Sequence, residues 1–433
     1  MKRLSIALPL IFCALSQAQS KKDQEHWVAT WATAQQAVRT GAPQAGRGAQ
    51  PTPTPAATPA PAPPPPRPGA SFNNQTVRMI AHTSIAGKRV RIELSDAVGA
   101  PLVAVGAAHI AIRAKDSEIV PGSDRALTFG GKPTCTLRPG VSTVSDPVDL
   151  DVPKLADLAV SLYFPGETGP PTSHSLGLHS TYISQAGDFT GQAAIADAAT
   201  VPSYYFLSSI DVLAPAKTGL IVALGDSITD GARSTENADR MWPALLAARL
   251  QSNKATAKFA IVNQGISGNQ VLRDGAGTSA LARFDRDVLN EPGVTWVMFL
   301  ESINDIGTNA RESGALTAAD LIGALRQIVE RAHMHGIQVA GCTLTPYGGA
   351  SYYSDAGEVI RAAVNDWIRT GGAFDAVVDF DAAVRDKNNP KEFRADMHAG
   401  DHLHPSDAGY AVMADSVDLS IFAGKPVRNK AKK

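Results

Sequence analysis

The stretch that decides the fold reads LIVALGDSITDG over residues 220–231. Its first five residues form an uninterrupted apolar run, which is typical of a strand that is covered on both faces, as in a parallel sheet. The glycines and polar residues that follow predict a sharp turn where this strand ends. Because ligands bind beyond the carboxyl ends of the strands in open parallel sheets, this turn indicates where chemistry should be sought.

After residue 215 the sequence alternates between short apolar runs and amphipathic helices. Further strands are predicted at 259–262, 296–300, 337–344 and 376–380. The clearest helix lies between the third and fourth strands, where Thr317 and Asp320 form a predicted cap at its start and Gly336 ends it. Such alternation predicts right-handed crossovers and a parallel sheet, so we expect an α/β domain over residues 216–425.

The region before residue 215 has a different period. From about residue 70, apolar side chains such as Val90, Ile92 and Leu94 alternate with polar ones, and Gly and Pro interrupt the runs at turn-like intervals. This pattern predicts an antiparallel β-sandwich in an N-terminal domain over residues 19–215. A segment at 41–69 carries 11 of the 29 prolines and is expected to be an extended excursion of that domain.

The chain begins with a predicted signal peptide at residues 1–18. Lys2 and Arg3 precede an apolar run, and Ser16-Gln17-Ala18 has the small-x-small pattern of a cleavage site. We therefore expect the protein to be secreted or periplasmic. A short basic tail is expected at 426–433.

Composition excludes several classes of function. The chain of 433 residues has 40 Lys and Arg against 41 Asp and Glu, a net charge of −1, which does not favour nucleic acid as a partner. The sequence has no apolar run of the roughly 20 residues that a transmembrane segment requires. Cys135 and Cys342 remain after the signal peptide, and we expect two buried free thiols, with a disulfide as the alternative.

Three further polar segments follow predicted strands or precede the last helix. They are NQGISGN at 263–269, ESIND at 301–305 and DHLHP at 401–405. Acyl transfer at a serine needs a base within hydrogen-bond reach and a carboxylate that orients the base, which Ser227, His404 and Asp401 would supply. It also needs donors for the oxyanion, for which the N–H groups of Ser227 and Gly265 and the Asn304 amide are candidates.

These residues resemble the SGNH hydrolases, the GDSL-type esterases and lipases, over about 216–425. The resemblance implies a three-layer flavodoxin-like α/β fold and a serine esterase with neither metal nor cofactor. It assigns Ser227 as nucleophile, Asp401 and His404 as the acid–base pair, and Gly265 and Asn304 as oxyanion donors. The N-terminal region is similar to that of secreted multidomain members. One departure stands out: Ser302 occupies a position that is usually Gly.

The expected substrate is a small-molecule or carbohydrate ester, and predicted export favours short acyl esters, such as acetyl esters, on extracellular carbohydrate. A metal site is the first alternative, because His398, Asp401, His402 and His404 lie close together in the sequence.

The second alternative is a carbohydrate- or surface-binding protein whose hydrolase domain is degenerate. Trp27, Trp31, Tyr204 and Tyr205 could then give the β domain a polysaccharide-binding surface, although core packing is the commoner role of such side chains.

Overall fold

A computed structural model describes residues 25–37, 68–99, 101–312 and 316–423. The predicted signal peptide, the basic tail and all but the last two residues of the proline-rich segment lie outside these ranges. Within the described ranges, no helix combines the length and the apolar character that crossing a bilayer requires.

The described part of the chain before residue 216 is built of antiparallel strands. They are β1 (Glu25–Ala32), β2 (Gln36–Ala37), β3 (Gln75–His82), β4 (Gly87–Ser95), β5 (Val103–Val105), β6 (Ala107–Lys115), β7 (Glu118–Ile119), β8 (Arg125–Ala126), β9 (Cys135–Leu137), β10 (Ser142–Val144), β11 (Val148–Val152), β12 (Asp157–Phe164), β13 (Thr172–His174), β14 (Thr181–Ala186), β15 (Ala199–Val201), β16 (Tyr204–Tyr205) and β17 (Leu207–Pro215). The larger sheets have the orders β1-β17-β4-β10, with β11 also paired to β4, and β15-β14-β3-β12-β6-β7, with β8 also paired to β6. The period-two pattern is confirmed in β4, where Val90, Ile92 and Leu94 are buried and the residues between them are half-buried.

The second half of the chain contains a parallel five-stranded sheet. Its strands are β18 (Gly219–Gly225), β19 (Phe259–Gly265), β20 (Val294–Leu300), β21 (Gln338–Cys342) and β22 (Ala376–Val378). The order is β19-β18-β20-β21-β22, so the first strand of this half lies between the second and third. This order fits a flavodoxin-like core, with a switch in direction at β18.

Helices cover both faces of the parallel sheet. They are α1 (Ser227–Asp230), α2 (Trp242–Ser252), α3 (Ala280–Phe284), α4 (Ile303–Glu312), α5 (Ala318–Met334), α6 (Asp355–Thr370), α7 (Phe380–Val384), α8 (Asp407–Ser416) and α9 (Ser420–Ala423), and a π-helical turn at Asp285–Leu289 follows α3. Alternate residues of β18 face opposite cores: Leu220 and Val222 pack with α5 and α6, and Ile221 packs with α2 and α8. The capping box of Thr317 and Asp320 is present as predicted.

Two expectations need adjustment. The last strand is shorter than predicted, because the Asp379 side chain accepts a hydrogen bond from the Ala382 N–H and starts α7 at Phe380. Cys135 and Cys342 are both free, as expected, but only Cys342 is buried and Cys135 is half-buried. Burial still raises the pKa of the Cys135 thiol to about 11, so little thiolate forms at neutral pH.

The β region and the parallel sheet are joined by polar contacts. The Ile261 N–H in β19 donates to the Ser84 hydroxyl at 3.2 Å. Nearby, His82 Nδ1 lies 2.8 Å from Asp157 Oδ1 and 3.3 Å from Asp239 Oδ2, and His179 Nε2 lies 2.8 Å from Asp239 Oδ1. Since Asp239 belongs to the loop before α2, these ion pairs fasten that loop to the β region.

Candidate active site

Ser227 stands at the turn between the first parallel strand and α1. Asp226 follows the strand directly, and its Oδ1 accepts a hydrogen bond of 2.9 Å from the Ile228 N–H, which caps the helix. Gly225 allows a close approach, because a Cβ there would lie 2.3 Å from the Leu300 carbonyl oxygen. The serine hydroxyl is thereby held beyond the end of the sheet with 6% of the residue exposed.

His404 joins Ser227 to Asp401. Its Nε2 lies 2.8 Å from Ser227 Oγ, and its Nδ1 lies 2.8 Å from Asp401 Oδ2. Because a carboxylate only accepts, it fixes the ring proton on Nδ1 and leaves the lone pair of Nε2 for the serine proton. The arrangement is that of a nucleophile, a general base and an orienting carboxylate.

The loop backbone holds Asp401 in place. Its Oδ1 accepts the N–H groups of Leu403 at 3.1 Å and His404 at 2.9 Å, and Arg233 Nε lies 3.6 Å from Oδ2. Partial burial raises the pKa of Asp401, but the hydrogen bond from the His404 ring and those from the backbone outweigh it and lower the pKa to about 2. The carboxyl is therefore ionised throughout the working range of an esterase.

The other two histidines of this loop are arranged differently. The rings of His398 and His402 stack with centroids 4.4 Å apart, and His398 Nδ1 accepts the N–H groups of Gly400 and His402. Among the described residues, the one group of three side chains spaced to hold a metal is His82, Asp157 and Asp239, whose ion pairs are given above. The predicted alternative of a metal site at His398, Asp401, His402 and His404 is therefore not assembled in the structure.

The contacts of Gly265 conflict with its predicted role as an oxyanion donor. Its N–H donates to Asn263 Oδ1 at 2.9 Å, so that donor is already occupied. A Cβ at this position would lie 2.3 Å from the Asp230 backbone nitrogen. Gly265 is thus needed for close packing of the second strand against α1, which is a structural use of the missing side chain.

Gly268, unlike Gly265, has a backbone N–H that is available as an oxyanion donor. It has a φ of +80°, a left-handed conformation that glycine adopts without strain. Within the described residues, its N–H and that of Ser227 have no hydrogen-bond acceptor. The sequence did not single out Gly268 as a donor, because the spacing of residues does not show which backbone N–H already has a hydrogen-bond acceptor.

Asn304 lies in the first turn of α4 and is 8% exposed. One amide hydrogen of its Nδ2 is donated to the Asn269 carbonyl at 3.0 Å, which leaves the other for a ligand. The neighbouring Ser302 is fully buried with a φ of +104°, and its hydroxyl has no partner. This hydroxyl makes no hydrogen bond to Asn304, but the residue occupies backbone geometry that favours glycine.

A buried charged network supports the strand ends. Arg283 is 1% exposed, and its guanidinium donates to the carbonyls of Gly225 and Gln264 and to Asn269 Oδ1. Asp305 accepts the N–H groups of Val271 and Leu272, so it braces the loop that follows β19. The sequence patterns did not single out Arg283, because it lies on α3, away from the polar segments at the strand ends.

Two acidic groups of this network are deeply buried. Burial raises the pKa of Asp226 to about 7; the Ile228 N–H opposes this shift, and the carboxylates of Asp305 and Asp230 add to it. Burial also raises the pKa of Glu301 well above its ordinary value, with Asp226 adding to it, and neither Glu301 oxygen has a hydrogen-bond partner. At neutral pH, at least one proton is therefore held beneath the site.

Residues 223–412 match the GDSL-like lipase/acylhydrolase family. Among solved structures, a GDSL-like lipase from Bacteroides thetaiotaomicron is 21% identical, with a TM-score of 0.35 and coverage of 47% of this chain and 87% of that one. A variant acetyl xylan esterase from Geobacillus stearothermophilus is 21% identical, with a TM-score of 0.36 and coverage of 46% and 94%. At these TM-scores the likeness says nothing about substrate.

No curated protein matches the chain by sequence. The family match covers β18 through α8, and with them the serine, the histidine and the carboxylate that the structure brings together. Residues 223–412 therefore form a GDSL-like lipase/acylhydrolase domain, and the protein is a carboxylic ester hydrolase.

Proposed function

We propose that the protein is a secreted serine esterase that works through an acyl-enzyme on Ser227. The observation that carries the proposal is the pair of 2.8 Å hydrogen bonds that link His404 to Ser227 and to Asp401. Ser227 Oγ attacks the ester carbonyl carbon while its proton passes to His404 Nε2. The bond to the alcohol oxygen then breaks, and His404 returns the proton to that oxygen. Water repeats the sequence and releases the acid.

The oxyanion of each tetrahedral intermediate needs preorganised donors. We assign this role to the N–H groups of Ser227 and Gly268 and to the second amide hydrogen of Asn304. All three hydrogens are free of acceptors among the described residues. Gly265, whose N–H is bound to Asn263, is replaced by Gly268 in this assignment.

The preferred acyl group is short, and acetyl is the simplest case. Ser227 and Asn304 are only 6% and 8% exposed, which leaves a narrow approach to the hydroxyl. A long acyl chain needs a broad apolar surface beside the serine. Of the large exposed apolar side chains among the described residues, Leu272 alone lies on a loop of the site. The proposed alcohol portion is a carbohydrate, because predicted export favours an extracellular substrate.

The N-terminal region is proposed to be a β-sandwich domain over 19–215 that precedes the hydrolase domain at 216–425. In support, residues of both large antiparallel sheets share one core, among them Ile92 and Ile210 from the first and Ile110 and Leu162 from the second. Four core residues from two sheets are consistent with face-to-face packing.

A polysaccharide-binding role for this region has less support. Trp31, Tyr204 and Tyr205 are buried, and Trp27 is half-buried beneath the Arg91 guanidinium, 4.4 Å from its ring. Buried rings are not available to stack on a sugar. The catalytic side chains are also joined in one hydrogen-bonded set, which does not favour a degenerate hydrolase domain.

The test is a panel of p-nitrophenyl esters from C2 to C12, together with acetylated xylan. We expect kcat/KM to be highest at C2 and to fall at least about tenfold by C8, because the approach to Ser227 is narrow. Acetate should be released from the xylan by the wild type and not by Ser227→Ala. A maximum at C8 or longer would contradict the preference for a short acyl group. Acetylated xylan that keeps its acetyl groups would contradict a carbohydrate as the alcohol portion.

A further inference from the structure

Asp230 connects the nucleophile turn to two other parts of the molecule. It is the last residue of α1, three residues after Ser227, and is 3% exposed. Its Oδ1 lies 2.9 Å from Nε2 of His174, which belongs to β13 of the N-terminal region. Its Oδ2 accepts the backbone N–H of Ser267 at 2.8 Å and the Ser267 hydroxyl at 2.7 Å. Both oxygens of the carboxylate are thus fully used.

His174 is buried and faces acceptors on both sides. Its Nδ1 lies 2.9 Å from the Ala34 carbonyl oxygen, and its Nε2 faces the Asp230 carboxylate. A carbonyl and a carboxylate both require a donor, so the two contacts are satisfied together when both ring nitrogens carry protons. Burial lowers the pKa of His174, but Asp230 beside it outweighs burial and raises the pKa. His174 and Asp230 thus form a buried histidine–carboxylate pair across the two halves of the chain.

The loop that this pair holds is the one that carries Gly268. Ser267, whose N–H is bound by Asp230, immediately precedes the free N–H of Gly268. The N-terminal region reaches the same loop a second time, because Gln36 Nε2 in β2 donates to the Ala276 carbonyl at 2.9 Å. Ala276 packs against Gly268, since a Cβ at Gly268 would lie 3.0 Å from the Ala276 Cβ.

From these contacts we infer that the N-terminal region is part of the catalytic apparatus, with His174 and Asp230 as positioning residues. His174 fixes Asp230, and Asp230 fixes the Ser267–Gly268 peptide, so that the Gly268 N–H is in place when charge develops on the substrate oxygen. This rests on the proposed serine mechanism. Donors of an oxyanion site act only within a few tenths of an ångström of their productive position, which makes a rigid support functional.

The test compares two neutral substitutions of nearly equal size. In His174→Gln the amide nitrogen occupies the place of Nε2 and can still donate to Asp230. In His174→Asn the shorter side chain keeps the contact with Ala34 and does not reach Asp230. We expect kcat of His174→Asn to fall about 30-fold with KM changed less than about threefold, and His174→Gln to recover most of that loss. His109→Ala is the control, because His109 pairs with Asp124 in the same region, away from the site.

A second pair keeps the test decisive if His174→Asn does not fold. Asp230→Asn can accept from Ser267 and donate to a neutral His174, so it should keep at least about a third of kcat, whereas Asp230→Ala should lose at least about tenfold. Wild-type kcat in His174→Asn or Asp230→Ala would overturn the inference, as would equal losses in His174→Asn and His174→Gln.

Labelling with a fluorophosphonate distinguishes an error in the positioning role from an error in the proposed serine mechanism. If the wild type is labelled at Ser227 while the variants keep full kcat, only the positioning role is wrong. If the wild type is labelled at another residue, the proposed nucleophile is wrong.

Discussion

The Nε2 atom of His404 lies 2.8 Å from the Oγ atom of Ser227, although 177 residues separate them in the chain. The serine is the first residue of α1, just after the first parallel strand, and the histidine lies on the loop before α8. The folded chain therefore brings the base within hydrogen-bond distance of the nucleophile. Since Asp401 occupies the other ring nitrogen, the imidazole is oriented to take the serine proton.

Removal of the Ser227 hydroxyl should abolish turnover. We expect Ser227→Ala to lower kcat at least about 10⁴-fold on p-nitrophenyl acetate, because no neighbouring group replaces the nucleophile. The melting temperature should change little, since a single hydroxyl is lost. Ser252→Ala, which removes an exposed hydroxyl at the end of α2, is the control and should keep full activity. Residual turnover above one percent in pure Ser227→Ala would place the nucleophile elsewhere.

Neutralising Asp401 should act on kcat far more than on KM. An amide at this position can present an N–H to His404 Nδ1 and so favour the ring tautomer that cannot accept the serine proton; neutralising the carboxylate of a serine protease triad costs about 10⁴-fold. We expect a similar loss in Asp401→Asn, measured as initial rates on a soluble acetate ester. A loss confined to KM would contradict the orienting role.

The pH profile tests the charge of Asp401. Its pKa in the folded protein is depressed to about 2, below the ordinary 3.8, so the carboxylate loses its charge only as pH falls towards 2. Ionisation of Asp401 therefore contributes no step between pH 4 and 9. A plot of log(kcat/KM) against pH should accordingly have a slope of one on its acid side. A slope of two on that side would show a second essential ionisation and contradict the depressed pKa.

The two histidines of the last loop should behave differently. We expect His404→Ala to lose at least about 10³-fold in kcat, because the general base is removed. His402→Ala removes a ring that stacks on His398 and forms no hydrogen bond to Ser227 or Asp401, so kcat should fall less than about fivefold. Both variants should be measured on one ester at pH 8. The opposite ranking would assign the base to His402.

Replacing Ser302 with glycine should stabilise the protein. The residue has a φ of +104° and a buried hydroxyl without a partner, which cost about 1–3 kcal/mol each. The greater freedom of glycine in the unfolded chain offsets about 1 kcal/mol of this, so we expect a net gain of at least about 1 kcal/mol in the free energy of unfolding. Ser302→Ala removes the hydroxyl and keeps the backbone strain, so its free energy of unfolding should lie between those of the wild type and Ser302→Gly. A lower melting temperature for Ser302→Gly would show that the backbone is not strained here.

The buried carboxyl groups predict stability that falls as pH rises. Asp226 has a folded pKa of about 7, raised above its unfolded 3.8, so the folded protein holds a proton that the unfolded chain has already released. Between about pH 4 and 7 this group lowers the free energy of unfolding with increasing pH. Glu301 is a second buried group whose pKa is raised on folding, so Glu301→Gln removes its contribution and urea unfolding should show a shallower decrease. The exposed Glu118→Gln is the control, and identical slopes in all three proteins would contradict a contribution from the buried carboxyl group.

Sequence patterns were sufficient for elements whose signal is local. The apolar run before Ser227, the alternation in β4 and the capping box at Thr317 each reflect neighbouring residues, and each is found in the structure. The segments that resemble the SGNH hydrolases also place Ser227 and His404 in one catalytic set, which their hydrogen bond supports. The prediction for Gly265 failed because spacing does not reveal whether an N–H already has an acceptor, and Asn263 supplies one.

By itself, the sequence determined the class of each half, the parallel α/β type of the second, and the residue types that acyl transfer requires. These follow from periodicity and from short segments, which depend on residues close together in the chain. Only the tertiary structure decided which backbone N–H is free, that Ser302 adopts a left-handed conformation, and that His174 from the β region binds Asp230 beside the nucleophile turn. Those properties depend on contacts between distant residues, which exist only once burial has brought the two halves together.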